Sequence, residues 1–263
     1  MWCTTKMIQA REPNLFRLKH GIIVACDVTT DEELSNLVRD TCDTDGVVAY
    51  KIGASLALKY GLGHIGRCIS EECSKVMIYD HQKFGTDIPD LGGGPVLEVI
   101  KEAGFEALIL FPLAGPETLE WSIRGDPNHT NPAASGCIKV GLVPIVGSMM
   151  THKRFIASEG GYIRDDAPQN IFETSARLGV RYFVLPATKP SVALQLFLTA
   201  KKEVPNPIFM FPGVGKSFQG GDLSALQITE DEPSYAIIGR EIYLAQDVKS
   251  AVTHLAELVS SMP

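Results

Sequence analysis

Eight short apolar segments recur along this chain, and their spacing restricts the fold more than any other feature of the sequence. They lie at residues 21–27, 46–53, 75–80, 106–112, 138–146, 180–186, 207–213 and 235–239. Each is nearly continuous in hydrophobic residues rather than alternating, which is typical of parallel strands covered on both faces. Helical segments separate most of them, most clearly at residues 31–39, 56–72, 95–103, 170–178, 192–202 and 247–259.

Strands and helices that alternate in this way predict an α/β fold, a single (β/α)8 TIM barrel. A doubly wound open sheet is the alternative from the pattern alone. One barrel would use nearly all of residues 1–263, although two small domains would also fit that length. Residues 1–20 form an extension before the first strand. Residues 122–136, SIRGDPNHTNPAASG, are rich in Pro, Asn and Gly and indicate an irregular insertion.

The composition argues against several classes of partner. With 24 Lys and Arg against 31 Asp and Glu, the net charge is −7, so no basic surface for nucleic acid is expected. No apolar run approaches the roughly 18 residues of a membrane span, and the N-terminus lacks the apolar core of a secretory signal. We therefore expect a soluble, cytoplasmic protein whose six scattered cysteines are reduced thiols. Cys68 and Cys73 have no further ligands at zinc spacing, so no metal is expected there.

The ends of the last two predicted strands carry groups suited to an anion. In barrels of this class phosphate frequently binds at the loops after strands seven and eight. The first of these loops, FPGVGKSFQGGD at residues 211–222, contains Gln219 and glycines whose backbone amides could approach an anion closely. These glycines are Gly213, Gly215, Gly220 and Gly221. In the second loop Gly239 precedes Arg240, a planar donor for phosphate.

Five charged residues lie at or just beyond the carboxyl ends of the first three predicted strands. Asp27 ends strand one, Lys51 lies near the end of strand two, and Asp80, Lys83 and Asp87 follow strand three. Each alone could be a solvated surface residue. At one barrel mouth they would form a dense cluster of opposite charges, of the kind that perturbs pKa values and carries proton chemistry.

Six ordered motifs give the chain a resemblance to the orotidine 5′-phosphate decarboxylase family over most of residues 21–260. They are CDV at 26–28, YKIG at 50–53, DHQKFGTDIP at 80–89, LPATKP at 185–190, PGVG with QGGD within 212–222, and IIGREIYLA at 237–245. The last two are the most specific. The resemblance implies a homodimeric enzyme that binds a nucleotide monophosphate and converts orotidine 5′-phosphate to uridine 5′-phosphate in pyrimidine biosynthesis.

The resemblance also implies which residues bind the substrate. Asp27 would hold the ribose hydroxyls, and Thr151, in the Met-Thr-His segment, would contact the pyrimidine. Gln219, Gly239 and Arg240 would hold the phosphate.

The resemblance further implies a catalytic network of Lys51, Asp80, Lys83 and Asp87, in which Asp87 acts in the site of the neighbouring subunit. The family pattern is Asp-x-Lys-x-x-Asp, whereas the sequence here is Asp-x-x-Lys-x-x-x-Asp. On a strand, residues two apart share a face and residues three apart do not. Either the backbone bulges there, or His81 replaces Asp80 at the first position.

Decarboxylation of orotidine monophosphate leaves a carbanion at pyrimidine C6 that no adjacent carbonyl can delocalise. A fixed positive charge must stabilise it, and Lys83, between two carboxylates in the sequence, is the candidate to do so and then donate a proton. This chemistry requires no cofactor. Two alternatives stay open, namely a magnesium-dependent sugar-phosphate decarboxylase or aldolase on the same barrel, and a barrel that binds a phosphorylated ligand without turning it over.

Overall fold

The computed structural model describes residues 14–82, 84, 86, 94–126, 135–215, 220–229 and 231–262. Its eight strands close into a barrel in sequence order, which confirms the predicted (β/α)8 fold. Neighbouring strands pair in parallel, and β8 pairs with β1 to complete the closure. The strands are β1 (His20–Ala25), β2 (Val47–Ile52), β3 (Val76–Asp80), β4 (Ala107–Leu110), β5 (Val143–Gly147), β6 (Tyr182–Val184), β7 (Ile208–Pro212) and β8 (Ser234–Ile238).

The helices form the outer layer. Those of the described residues are α1 (Asp31–Thr41), α2 (Ala54–Tyr60), α3 (Leu62–Glu72), α4 (Gly94–Glu102), α5 (Pro116–Arg124), α6 (Cys137–Val140), α7 (Ala167–Arg177), α8 (Pro190–Glu203), α9 (Arg240–Tyr243) and α10 (Val248–Ser260). Helix α1 begins at a capping box of Thr30 and Glu33, which satisfies free amides of its first turn. None of these helices is both long and apolar enough to cross a bilayer.

Two predicted elements differ from the structure. The helix predicted over 56–72 is divided into α2 and α3, because Gly61 adopts a φ of +79° that a helix cannot contain. The strand predicted over 138–146 begins with α6, which ends at the left-handed Gly141, and β5 starts only at Val143. A short apolar run does not by itself distinguish a buried strand from a buried helix.

The alternation along the strands separates two cores. Side chains such as Ile23, Ala49 and Ile78 fill the barrel interior, whereas Ile22, Tyr50 and Tyr79 pack against the helices. Continuing two residues along β2 and β3, Lys51 follows Ala49 and Asp80 follows Ile78. These two charged side chains therefore face the interior at the carboxyl end of the barrel.

The described part of the N-terminal extension closes the opposite end of the barrel. Phe16 is buried, with its ring centroid 4.5 Å from that of Tyr235. The Leu15 amide donates a hydrogen bond to the Tyr182 hydroxyl at 2.7 Å, and the Tyr235 hydroxyl donates to the Leu18 carbonyl. Residues 1–13 lie outside the described residues.

The predicted insertion near residues 122–136 begins later than expected. Residues 122–124 belong to α5, and Gly125 forms an isolated antiparallel bridge with Ser135. Residues 127–134 lie outside the described part of the chain.

The expectation that all six cysteines are reduced is wrong. Cys42 and Cys73 form a disulfide with a Cα–Cα distance of 5.9 Å. Cys42 follows α1 and Cys73 follows α3, and these helices pack side by side, so residues far apart in sequence meet. Cysteine usage therefore does not support the reducing compartment that we inferred from it.

Candidate active site

A cavity opens at the carboxyl ends of the barrel strands. Six of the nine predicted site residues line it: Asp27, Lys51, Asp80, Thr151, Gly239 and Arg240. The other three, Lys83, Asp87 and Gln219, lie outside the described residues. In the described part of the chain no group of three His, Cys, Asp or Glu side chains is arranged to hold a metal ion.

Lys51 is the buried cation of this cavity. Its Nζ lies 2.8 Å from Asp80 Oδ2 and 3.7 Å from Asp27 Oδ1, and its side chain is 8% exposed. Burial alone would lower the pKa of Lys51, but the neighbouring Asp80 and Asp27 carboxylates outweigh it and raise the pKa. Lys51 is therefore a fixed ammonium at neutral pH.

Asp80 uses only one of its carboxylate oxygens in this pair. Oδ2 accepts the hydrogen bond from Lys51. Oδ1 is buried, and no donor among the described residues bonds to it. A buried acceptor without a partner is energetically unfavourable, so a ligand that donates to Oδ1 would be favoured.

The two candidates for the first position of the Asp–Lys–Asp pattern lie on different sides of β3. Asp80 faces the cavity. His81 instead lies with its Nδ1 3.1 Å from the Tyr79 hydroxyl, and its ring packs against those of Tyr79 and Phe84. Both aromatic rings belong to the core beneath the helices. The geometry thus gives Asp80 the position that faces the cavity.

Across the barrel, hydrogen bonds between glycines close the loop after β7. The amides of Gly215, Gly220 and Gly221 donate to the carbonyls of Gly221, Gly215 and Gly213 at 3.0, 2.9 and 3.1 Å. These three amides close the loop on itself, while the expectation that the glycines let backbone amides of this loop approach an anion stays a prediction. The glycines are needed for conformation: Gly213, Gly215 and Gly220 have φ values of +87°, +136° and +80°.

Gly239 and Arg240 line the same side of the cavity, where β8 ends and α9 begins. A Cβ atom at Gly239 would lie 3.3 Å from the Ala25 carbonyl oxygen and 3.3 Å from the Tyr243 ring. The chain is therefore tightly packed immediately before Arg240, and this packing fixes the backbone position of Arg240.

Thr151 lies between these two sides, and the LPATKP motif holds its backbone. The Thr188 hydroxyl donates to the Thr151 carbonyl at 3.0 Å. A Cβ atom at Gly213 would lie 3.2 Å from the methyl groups of both threonines. The loops after β5, β6 and β7 thus meet at Thr151.

Two polar residues that we did not predict also line the cavity, Gln82 and Glu241. Glu241 follows Arg240 and packs against the loop after β7, since a Cβ atom at Gly215 would lie 2.9 Å from its Cγ. Gln82 lies two residues after Asp80, so the strand periodicity that we applied to the spacing could have identified it.

Comparison with known proteins finds orotidine 5′-phosphate decarboxylases among the relatives of this chain. The orotidine 5′-phosphate decarboxylase of Methanosarcina mazei is 27% identical over 241 residues, which cover 91% of this chain and 95% of that protein. The enzyme of the same name from Methanococcus maripaludis is 28% identical over 230 residues, covering 88% and 93%.

Solved structures share the fold. The orotidine 5′-monophosphate decarboxylase of Methanocaldococcus jannaschii, complexed with inhibitor BMP, matches with a TM-score of 0.74 at 23% identity, covering 92% of this chain and 99% of that one. The orotidine 5′-phosphate decarboxylase of Pyrococcus horikoshii OT3 matches with a TM-score of 0.70 at 18% identity, covering 92% and 100%. The model of the orotidine 5′-phosphate decarboxylase / HUMPS family matches residues 21–255, and this chain therefore belongs to that family.

Proposed function

We propose that this chain decarboxylates orotidine 5′-phosphate to uridine 5′-phosphate, as a carbon–carbon lyase of pyrimidine biosynthesis. The observation that carries the proposal is the ion pair of Lys51 and Asp80, buried in the mouth of a barrel of this family. Its relatives named orotidine 5′-phosphate decarboxylase support the same reaction.

The substrate spans the cavity from the last strands to the second and third. Arg240 binds the phosphate, together with Gly239 and with Gln219 from the loop after β7. Asp27 accepts hydrogen bonds from the ribose hydroxyls at the rim, where its side chain is 54% exposed. Thr151 contacts the pyrimidine ring. Phosphate binding far from the reacting carbon supplies energy to orient the ring.

The chemical step needs a positive charge beside C6. The bond from C6 to the carboxylate breaks, CO2 leaves, and the electron pair remains on C6. Lys83 stabilises this charge and transfers a proton to C6, while Lys51 holds the Asp80 carboxylate in place. The lysines supply the charge stabilisation, so the proposed reaction uses neither a metal nor a cofactor.

Two further properties belong to the proposal. The chain acts as a homodimer in which Asp87 completes the network of the neighbouring subunit. A cytoplasmic location follows from the reaction, because the substrate and product are nucleotides of central metabolism.

The test is an absorbance assay of pyrimidine turnover by the purified protein with orotidine monophosphate, in the presence and absence of EDTA. We expect turnover that EDTA leaves unchanged, and a Lys83→Ala variant slower by on the order of a thousandfold. Lys202→Ala, at an exposed lysine of α8, is the control and should match the wild type. Binding of uridine monophosphate without turnover would show a non-catalytic barrel, and loss of activity in EDTA would favour the magnesium-dependent chemistry.

A further inference from the structure

Gln82 lies in a turn that directly follows β3. The Phe84 amide donates to the His81 carbonyl at 2.8 Å, which closes the turn. Phe84 is buried in the core beneath the helices, and the His81 ring packs against it. The two ends of the turn are thus anchored on the outer side of the barrel, while Gln82 lines the cavity on the inner side.

Strand alternation places Gln82 on the same face as Asp80. In Asp-x-Lys the lysine follows the aspartate by two residues and shares its face. Here Asp80 faces the cavity, His81 faces outward, and Gln82 lines the cavity again. A neutral amide therefore follows Asp80 on the cavity face, and Lys83 comes one residue later in the sequence than the lysine of the family pattern.

The side chain of Gln82 is exposed and lines the cavity, and its amide offers both donors and an acceptor to a ligand. The buried Oδ1 of Asp80, two residues away, accepts no hydrogen bond from the described residues. Asp80 and Gln82 thus both present polar atoms to the cavity.

The barrel order places this wall opposite the phosphate loops. Strands β3 and β7 are four positions apart in a closed ring of eight, so the turn after β3 faces the loop after β7 across the mouth. A ligand whose phosphate binds beside Arg240 therefore presents its other end to Gln82. In the proposed substrate that end is the pyrimidine with its carboxylate.

We infer that Gln82 donates a hydrogen bond to the carboxylate of the substrate and thereby distinguishes orotidine monophosphate from the product, which lacks that group. The inference rests on the proposed function. An amide N–H can donate to the substrate carboxylate, and a hydrogen bond to a charged group is stronger than one between neutral groups.

The experiment compares Gln82→Ala and Gln82→Glu with the wild type. The readouts are kcat and KM for orotidine monophosphate and the inhibition constant of uridine monophosphate. We expect Gln82→Ala to raise KM for the substrate by about tenfold or more and to change product binding by less than about threefold. Gln82→Glu, which repels the carboxylate, should have the larger effect, and Gln82→Lys should retain the preference for the substrate. Gln195→Glu, at an exposed glutamine of α8, controls for the added charge.

The outcomes separate this inference from the proposed function. If the wild type is active and Gln82→Ala weakens the binding of substrate and product equally, or weakens the binding of neither, the Gln82 inference is wrong and the proposed function stands. If the wild type does not turn the substrate over, the proposed function is wrong. Equilibrium binding of the two nucleotides to the same variants then still tests the role of Gln82. The inference requires that Gln82→Ala lose affinity for orotidine monophosphate but not for uridine monophosphate.

Discussion

The ammonium of Lys189 lies 2.7 and 2.8 Å from the two carboxylate oxygens of Glu159, and this ion pair joins the loops after β6 and β5. Glu159 also accepts a hydrogen bond from the Phe155 amide at 3.2 Å. Neither charged residue lines the cavity, but both belong to the loops that meet at Thr151. The pair is therefore placed to position Thr151, which we propose contacts the pyrimidine, without lining the cavity itself.

Replacement of Lys189 by Met should raise KM for orotidine monophosphate about tenfold, because a displaced Thr151 contacts the ring less well. Lys189→Arg should restore the wild-type value, since a guanidinium can also bind both oxygens of Glu159. Steady-state kinetics of both variants check this, with Lys202→Met as the control. An equal rise in KM in Lys189→Arg and Lys189→Met would show that packing, rather than the ion pair, positions Thr151.

The same pair predicts a pH dependence of stability. The hydrogen bond from Lys189 is the main cause that lowers the pKa of Glu159 below its ordinary value of 4.5. Its contribution should be present above pH 4.5 and should disappear as the pH falls through the lower pKa of the folded state. The difference in Tm between wild type and Glu159→Gln should therefore shrink in acid.

Removal of the guanidinium in Arg240→Ala should raise KM for orotidine monophosphate by about a hundredfold, because a charge-assisted contact to the phosphate is lost. Turnover of orotidine, which has no phosphate, should hardly change. Arg177→Ala, at an exposed arginine of α7, is the matched control. A proportionate loss with both substrates would contradict the assignment of Arg240 to the phosphate.

The charge of Lys51 should stabilise the fold at every physiological pH. Because its pKa is raised above the ordinary 10.5, its charge contributes to stability fully below pH 10.5, and this contribution is lost only as the pH rises through the higher folded-state pKa. The difference in Tm between wild type and Lys51→Met should therefore be constant from roughly pH 6 to 9 and should narrow in stronger alkali. We expect kcat of Lys51→Met to fall by on the order of a hundredfold, less than in Lys83→Ala.

The disulfide of Cys42 and Cys73 should stabilise the fold without affecting catalysis. It joins the ends of α1 and α3, which precede β2 and β3 and so lie at the barrel end opposite the cavity. Closing a loop with a sequence separation of 31 stabilises a protein by about 3 to 4 kcal/mol. Cys42→Ser should lower the free energy of unfolding by that amount and leave kcat unchanged. Thiol titration of the denatured protein should detect two additional thiols after reduction.

The dimer can be tested by complementation. Lys83→Ala and Asp87→Ala are each expected to be inactive. When the two proteins exchange subunits, each heterodimer should contain one site with both wild-type residues, so activity should recover to roughly a quarter of the wild-type level. Heterodimers that form, as verified by mass spectrometry, but remain inactive would show that Asp87 acts within its own subunit.

The sequence alone determined the barrel and the location of its mouth. Continuous apolar runs indicate strands that are buried on both faces, and the charged residues that end those runs must lie where the strands end. For this reason Asp27, Lys51 and Asp80 could be predicted to line one cavity, and they do.

Only the tertiary structure decided which side chains from separate segments contact one another. The meeting of Cys42 with Cys73 and of Lys189 with Glu159 depends on how separate segments pack once the barrel has closed. The use of the Gly215 amide within its own loop depends on a chain reversal that the glycine pattern permits but does not specify. Local sequence sets the periodicity and conformational freedom of each segment, whereas contacts across the barrel arise from the joint packing of eight strands and their helices.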